Sequence, residues 1–301
     1  MRIKPWVPVL WSGVFFLLLL SFMTPLVILT VNVMMVPLLV LYGTQGRLRF
    51  IPYVLAPLII LVLLFRGQSV PLLLVTLFFL IPAVAMGDMY RRDAPARNAL
   101  TAGVLAFIGE MLAALLLSYA FEYNVIREMQ KMLWNQYYAM PPILQEEISE
   151  DIMDLTIRMM IQLIPLFMIG TGIYYAAITH ALGHRLLKHY GVPARSFPPV
   201  RQWMLPKSLV FIYLVVLFLD LFIAKSFDSM LTTILLNGVP LLMAAFTVQA
   251  LSFLLYVAHY KRSWTVILPV MGILAIPIMP NLLSLLGVFD VAFPLRRRIQ
   301  S

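Results

Sequence analysis

Cysteine is absent from the 301 residues, which excludes disulfides, thiolate metal sites and cysteine nucleophiles and leaves the redox compartment unmarked. Charge is scarce. Asp, Glu, Lys and Arg make up 12% of the chain, where a water-soluble domain carries roughly a quarter. Chemical motifs are missing too: there is no Gly-rich phosphate loop, no HExxH, no His and carboxylate set at metal spacing, and no Ser, His and Asp arrangement. His184 and His189 stand five apart rather than the four that would put two ligands on one helical face. Catalysis, a cofactor and a metal site are therefore not expected.

What is abundant is apolar surface, with 62% hydrophobic residues. No single soluble core can bury that much, so the main solvent of this chain is lipid. The excess of 22 Lys and Arg over 13 Asp and Glu fits the basic cytoplasmic loops of an integral membrane protein and needs no nucleic acid to explain it. The expected fold is all-α: one integral membrane domain over residues 1–301, a polytopic transmembrane helix bundle of about eight spans plus a C-terminal helical hairpin or broken span.

The first apolar run, Val7 to Tyr42, continues without a small-residue cleavage site and reads as a retained anchor rather than a signal peptide. As one helix its 36 residues would reach roughly 54 Å, well beyond a hydrocarbon core of roughly 30 Å. It must turn, and Ser21 to Pro25 offers the best break. Further spans lie near Ile51–Phe65, Val70–Met86, Ala99–Ala120, Met159–Leu182 and Ser208–Ala224. Two longer runs, Ser229–Ala258 and Trp264–Phe293, carry breakers at Asn237, Gly238 and Pro240 and at Pro277 and Pro280.

Placing the N-terminus inside collects fourteen loop Lys and Arg residues on the inner face, from Arg2 to Arg262, against Arg66, Arg127, Lys131, Arg158 and Lys225 outside. A hairpin at Pro277 to Asn281 keeps Arg296, Arg297 and Arg298 inside as well, so both termini are expected in the cytoplasm. Two polar segments remain: residues 121–158, an extracytoplasmic amphipathic helical insertion, and residues 183–207, a cytoplasmic basic loop. In the first, Val125, Met129, Met132 and Leu133, then Leu144, Ile148, Ile152, Leu155 and Met159, follow helical spacing on either side of Pro141 and Pro142. Two readings stand for it: a solvated acidic face over a buried apolar one, or a lid or docking surface for an extracytoplasmic partner.

Ionisable and amide side chains inside apolar runs are functional candidates because of their cost. Glu110 shares a helical face with Gly103, Ala106, Ala113 and Ala114, which predicts that it faces the bundle. It is either a neutral structural acid or a residue of solute or proton traffic. Gly172, Ala176 and His180 form a second such face, with His180 read as an interfacial residue. Asn237 and Gln249 join Glu110 as candidate substrate-binding residues, on a run that either breaks at mid-membrane around Pro240 or begins a helix there. Asp220 and Lys225 read as a snorkelling pair.

Gly191-Val192-Pro193, Phe197-Pro198-Pro199, Arg201-Gln202-Trp203 and Leu205-Pro206-Lys207 resemble the cytoplasmic loop of the YybS-like family of predicted bacterial membrane proteins. Leu236-Asn237-Gly238 through Gln249-Ala250-Leu251, and Leu285 to Asp290 followed by Arg296 to Arg298, resemble later parts of that family. The resemblance implies a bacterial cytoplasmic (inner) membrane location. It also implies a core similar to the substrate-binding subunits of energy-coupling-factor vitamin transporters and to the rod-shape protein MreD. The Ala-xxx-Ala docking pattern of those subunits is absent from the first helix, where Trp11 to Phe16 stand instead. The expectation is a transport-type protein that binds a small solute in the bundle, which requires Glu110, Asn237 and Gln249 to converge on one cavity. The alternative is a non-catalytic membrane scaffold or assembly factor for cell-envelope machinery. Expected partners are membrane lipid, a small-molecule solute or an envelope protein, and the basic loop with the Arg296 to Arg298 tail suits anionic lipid.

Overall fold

The structure is a computed structural model, and it describes residues 4–222, 229–260, 266–293 and 295–300. Arg2, Lys225, Lys261, Arg262 and Trp264, which enter the charge and span arguments above, lie outside the described residues. Among the described residues there are helices and turns and no strand. Among the described residues six segments are long and apolar enough to cross a membrane: Trp6–Met23, Val27–Gln45, Val70–Arg91, Ala96–Ala120, Ile164–His189 and Met230–Tyr260. The shorter apolar helices Ile51–Phe65, Ile267–Ile278 and Pro280–Ala292 complete an all-α polytopic membrane fold. Contacts group the chain into two compact units, residues 1–125 with 167–197, and residues 126–166 with 198–301.

The first unit contains α1 (Trp6–Leu20), α2 (Val27–Thr30), α3 (Met35–Gln45), α4 (Ile51–Phe65), α5 (Val70–Arg91), α6 (Ala96–Ala120) and most of a later helix. The expected turn at Ser21 to Pro25 is present: α1 ends in a 3-10 turn and Thr24 is extended. Thr24 does not cap a new helix, because its hydroxyl donates back to the Ser21 carbonyl at 2.9 Å. The core is built around α3, where Met35, Leu38, Leu39, Leu41 and Tyr42 are buried. On α6 the small-residue face is only half realised. Gly103 and Phe107 are buried, Glu110 is partly buried, and Ala113 and Ala114 are exposed.

In the second unit come α7 (Val125–Tyr138), α8 (Pro142–Glu147) and α9 (Glu150–Gln162), then α10 (Ile164–His189), which passes into the first unit. Pro141 and Pro142 separate α7 from α8 as expected. The amphipathic stripe is thinner than its spacing suggests, since Met132, Leu144, Ile152, Leu155 and Met159 are exposed and Tyr137 and Ile157 are buried. Ser149 starts α9 by accepting from the Ile152 amide at 3.4 Å, an N-cap at a site of orphan donors.

The unit continues with α11 (Lys207–Phe222), α12 (Met230–Tyr260), α13 (Ile267–Ile278), α14 (Pro280–Ala292) and α15 (Leu295–Gln300). Neither sequence reading of the Pro240 region holds: α12 runs unbroken for 31 residues with Pro240 inside it. In lipid an opened backbone has no water to bond, so losing the one ladder bond that Pro removes costs less than opening the helix. The hairpin at Pro277 to Pro280 is present, with Met279 at φ −139°, ψ 54° between its arms. Its direction follows from its neighbours. Gly287 lies against Phe246 and Ala250, while Asp290 and Arg296 meet Gln249 and Ser252, so α14 runs parallel to α12 and brings the chain back toward the Tyr256 end.

Candidate functional site

Gln249, Ser252 and Tyr256 are spaced to share one face of α12, at the end where residues 200–205 and the C-terminal tail meet it. Asp290, near the end of α14, is fully buried in its side chain. An extended Phe293 ends that helix, and the chain turns so that Arg296 folds back on Asp290. The Arg296 Nε donates to Asp290 Oδ1 at 3.0 Å and Nη2 donates to Oδ2 at 2.6 Å, a two-pronged pair. Gln249 Nε2 donates to the same Oδ2 at 2.5 Å. The remaining Arg296 donors reach the Arg201 carbonyl at 2.8 Å and Ser252 Oγ at 3.1 Å. Its guanidinium carbon stands 5.1 Å from the centre of the Tyr256 ring.

The loop is tied into the same clasp. Gln249 Oε1 accepts from the Leu205 amide at 3.0 Å, and the Ser252 hydroxyl donates to the Val200 carbonyl at 2.7 Å. These bonds satisfy backbone groups of the 3-10 turn Val200–Gln202 and the extended residues after it, as burial against a helix requires. Beside the clasp opens a cleft of about 690 Å³ lined by Arg201, Gln202, Lys207, Tyr256, Phe293 and Arg297 among others. That volume falls in the range of small-molecule sites, roughly 300 to 1,000 Å³.

Of the three residues singled out from sequence, Gln249 is in this site, buried and fully engaged. Asn237 stands twelve residues earlier on α12, about 18 Å along its axis, and serves a different purpose. Its Nδ2 donates to the carbonyls of Gln162 and Thr233, each at 2.7 Å, and its Oδ1 accepts from the Leu166 amide at 2.8 Å. Gln162 ends α9 and Leu166 lies in the first turn of α10, so one amide serves an end carbonyl of one helix and a first-turn N–H of the next. Substituting Asn237→Leu is expected to lower stability by about 2 kcal/mol, since a buried backbone group left unpaired costs about 1–3 kcal/mol. Thermal melting of the purified protein reads this directly. An unchanged midpoint would mean that the junction does not depend on Asn237.

Glu110 lies in the first unit, partly buried, with its Oε2 atom buried and without a hydrogen-bond partner among the described residues. Asp290, Arg296 and Ser252 were not singled out from sequence as site residues, although Asp290 and Arg296 fall within the family-like C-terminal stretch. An acid at the end of an apolar run with a base six positions later was the available signal, because charges in membrane segments pair with one another.

The first unit holds its own polar contacts. Asp88 accepts from Tyr42 at 2.5 Å and from Arg47 at 2.8 Å. Arg195 holds Asp93 two-pronged, at 3.0 and 2.6 Å, and that guanidinium keeps the Asp93 carboxyl below the usual carboxylate range. A depressed carboxylate stabilises the fold above its unfolded pKa and loses that contribution as pH falls through the folded value, so acid releases this loop contact. His180 is buried within the protein: it is 5% exposed, its Nδ1 is 2.6 Å from the Tyr90 hydroxyl, and its ring meets Phe197 at 4.9 Å. These partners are distant in sequence, so its place near the end of the span does not reveal them.

Against known proteins, the profile of a family described as "Predicted membrane protein (DUF2232)" matches residues 13–291. A curated relative, "Uncharacterized protein YybS" of Bacillus subtilis (strain 168), is 22% identical over 228 residues, covering 72% of this chain and 73% of its own. No solved structure matches the chain.

Proposed function

The chain belongs to the DUF2232 family of predicted membrane proteins, and from that premise we propose a non-catalytic, transport-type protein of the bacterial cytoplasmic membrane that binds a small solute in the cleft beside the Gln249–Asp290–Arg296 clasp. The observation that carries this reading is a fully buried carboxylate whose three donors fix the wall of a ligand-sized cleft. Asp290 and Arg296, locked by their own hydrogen bonds, pre-organise one wall of the cleft for binding. Glu110, with its unpartnered oxygen, is the residue proposed for proton or cation traffic in the first unit. Glu110→Gln should fold normally and lose function, while Glu110→Leu loses both the charge and the hydrogen-bonding shape. A Leu variant with wild-type stability and phenotype would remove Glu110 from the proposal.

Thermal unfolding in detergent against solutes of different charge classes tests the binding reading. At least one class should raise the melting temperature of the wild type but not of Gln202→Trp, which places an indole in the cleft lining. Stabilisation by no class, or equal stabilisation of both proteins, would overturn it.

A second reading, the scaffold or assembly factor, draws on α7 to α9, whose exposed Met132, Ile143 and Ile152 sit among acids and could meet an envelope partner. Orientation is part of both. With termini in the cytoplasm and residues 121–158 outside, a single cysteine at the exposed Ser149 should react with an impermeant thiol reagent in intact cells. Reaction only after permeabilisation would reverse the topology.

A further inference from the structure

Resting on the cleft reading above, we infer that the group this cleft recognises is a phosphate ester, supplied either by an anionic phospholipid headgroup or by a water-soluble phosphate compound. The charge balance of the lining is the first reason. Its acid, Asp290, is consumed by Arg296 and Gln249, which leaves Arg201, Lys207 and Arg297 on the wall. Among the described residues no acidic side chain pairs with any of the three. Three uncompensated cations around one opening suit a group with several acceptor oxygens and up to two negative charges. Guanidinium forks meet such oxygens two at a time, and a lysine adds a point charge.

Arg296 itself is not one of the binding cations. With its charge matched by Asp290, its part is to hold the 200–205 loop and the tail in place, so that Arg201 and Arg297, from opposite sides of the cleft in sequence, face the same space. The second reason is the rest of the lining. Met204, Leu205, Val291 and Phe293 give the cleft an apolar half, and about 690 Å³ is far more room than a bare phosphate needs. The ligand therefore has an organic body beyond its phosphate. A basic recess between helices, at the level where basic loops gather, is where phospholipid headgroups are held in membrane proteins.

The experiment uses the full-length protein in a neutral detergent and four probes: dihexanoyl phosphatidylglycerol, dihexanoyl phosphatidylcholine, glycerol 3-phosphate and succinate. Binding is measured by calorimetry on the wild type, on Lys207→Gln with Arg297→Gln, and on Lys131→Gln as a control that loses an exposed charge elsewhere. At least one of the two anionic phosphate probes should bind about tenfold or more tighter than succinate and phosphatidylcholine, with a similar loss in the double variant and none in the control, as expected for charge-assisted bonds. Unchanged melting of the unliganded variants shows that the fold is intact. Tight binding of phosphatidylglycerol alone assigns the lipid as source, and equal binding of glycerol 3-phosphate assigns a soluble ester. Succinate binding as tightly as either phosphate probe, in a manner lost in the double variant, would overturn the phosphate assignment while leaving the solute-binding reading in place. No binding of any probe, or binding indifferent to the double variant, would also overturn the phosphate assignment. The broader reading then depends on the separate solute screen with Gln202→Trp.

Discussion

Replacing Arg296 with leucine is expected to destabilise the protein by about 3–5 kcal/mol, the range for a buried ion pair broken by removing one partner. The cost arises at Asp290. Its side chain is fully buried, and without Arg296 only the Gln249 amide would remain of the donors around it. The loop suffers too, because the Arg201 carbonyl and Ser252 hydroxyl each lose a donor. Asp290→Asn should cost less than Arg296→Leu, since the charge it leaves unmatched is on Arg296, which is 13% exposed and keeps its bonds to the Arg201 carbonyl and Ser252, and the amide keeps a hydrogen-bonding shape. The double change Asp290→Leu with Arg296→Leu should recover part of the loss, because two apolar groups need no compensation. Chemical unfolding of the four proteins in the same detergent measures these differences. Equal stability of Arg296→Leu and the wild type would mean that the clasp does not hold the C-terminal tail.

The second large effect is expected at Gly287. There α14 and α12 touch backbone to backbone, and a Cβ at this position would overlap the carbonyl oxygen of Phe246 and press on the Ala250 amide. Small residues at helix crossings in lipid permit this approach. A side chain could be accommodated only by moving a helix, since the obstacle is backbone and not a flexible tip. Gly287→Ala should therefore cost at least the 1–3 kcal/mol usual for overpacking, and Gly287→Val more. Gly13→Ala is the contrasting case. Nothing lies within 4 Å of the added carbon, so helix propensity alone should act and the change should stabilise by roughly 0.5–1 kcal/mol. Melting temperatures that move the same way for both glycines would contradict the close crossing.

The spans and the hairpin were legible because their signals are local. Apolar run length set the helix count, and Pro277 and Pro280 marked the reversal found at Met279. The same local reading failed at Pro240. One proline in an apolar run can end a helix in water, but in lipid the helix has no alternative partner for its backbone and continues. Asn237 looked like part of a broken-helix binding site for the same reason. Its partners, the end of α9 and the start of α10, are more than seventy positions away in sequence and leave no trace in local spacing. Arg296 was read as one of three loop charges setting orientation, when the turn after α14 returns it to Asp290. A pair separated by six residues across a helix end has no helical periodicity to reveal it. His180 is a similar case, packed by Tyr90 and Phe197 from elsewhere in the chain.

Solute binding in the cleft is the central claim, and native mass spectrometry of the protein taken from its own membrane in mild detergent addresses it without a choice of probe. Wild-type protein should carry a noncovalent species of defined mass that survives gentle activation, and Gln202→Trp and the Lys207→Gln, Arg297→Gln double variant should be released bare under the same conditions. A wild-type spectrum as bare as those of the variants, or the same adduct on all three proteins, would contradict a ligand held in this cleft.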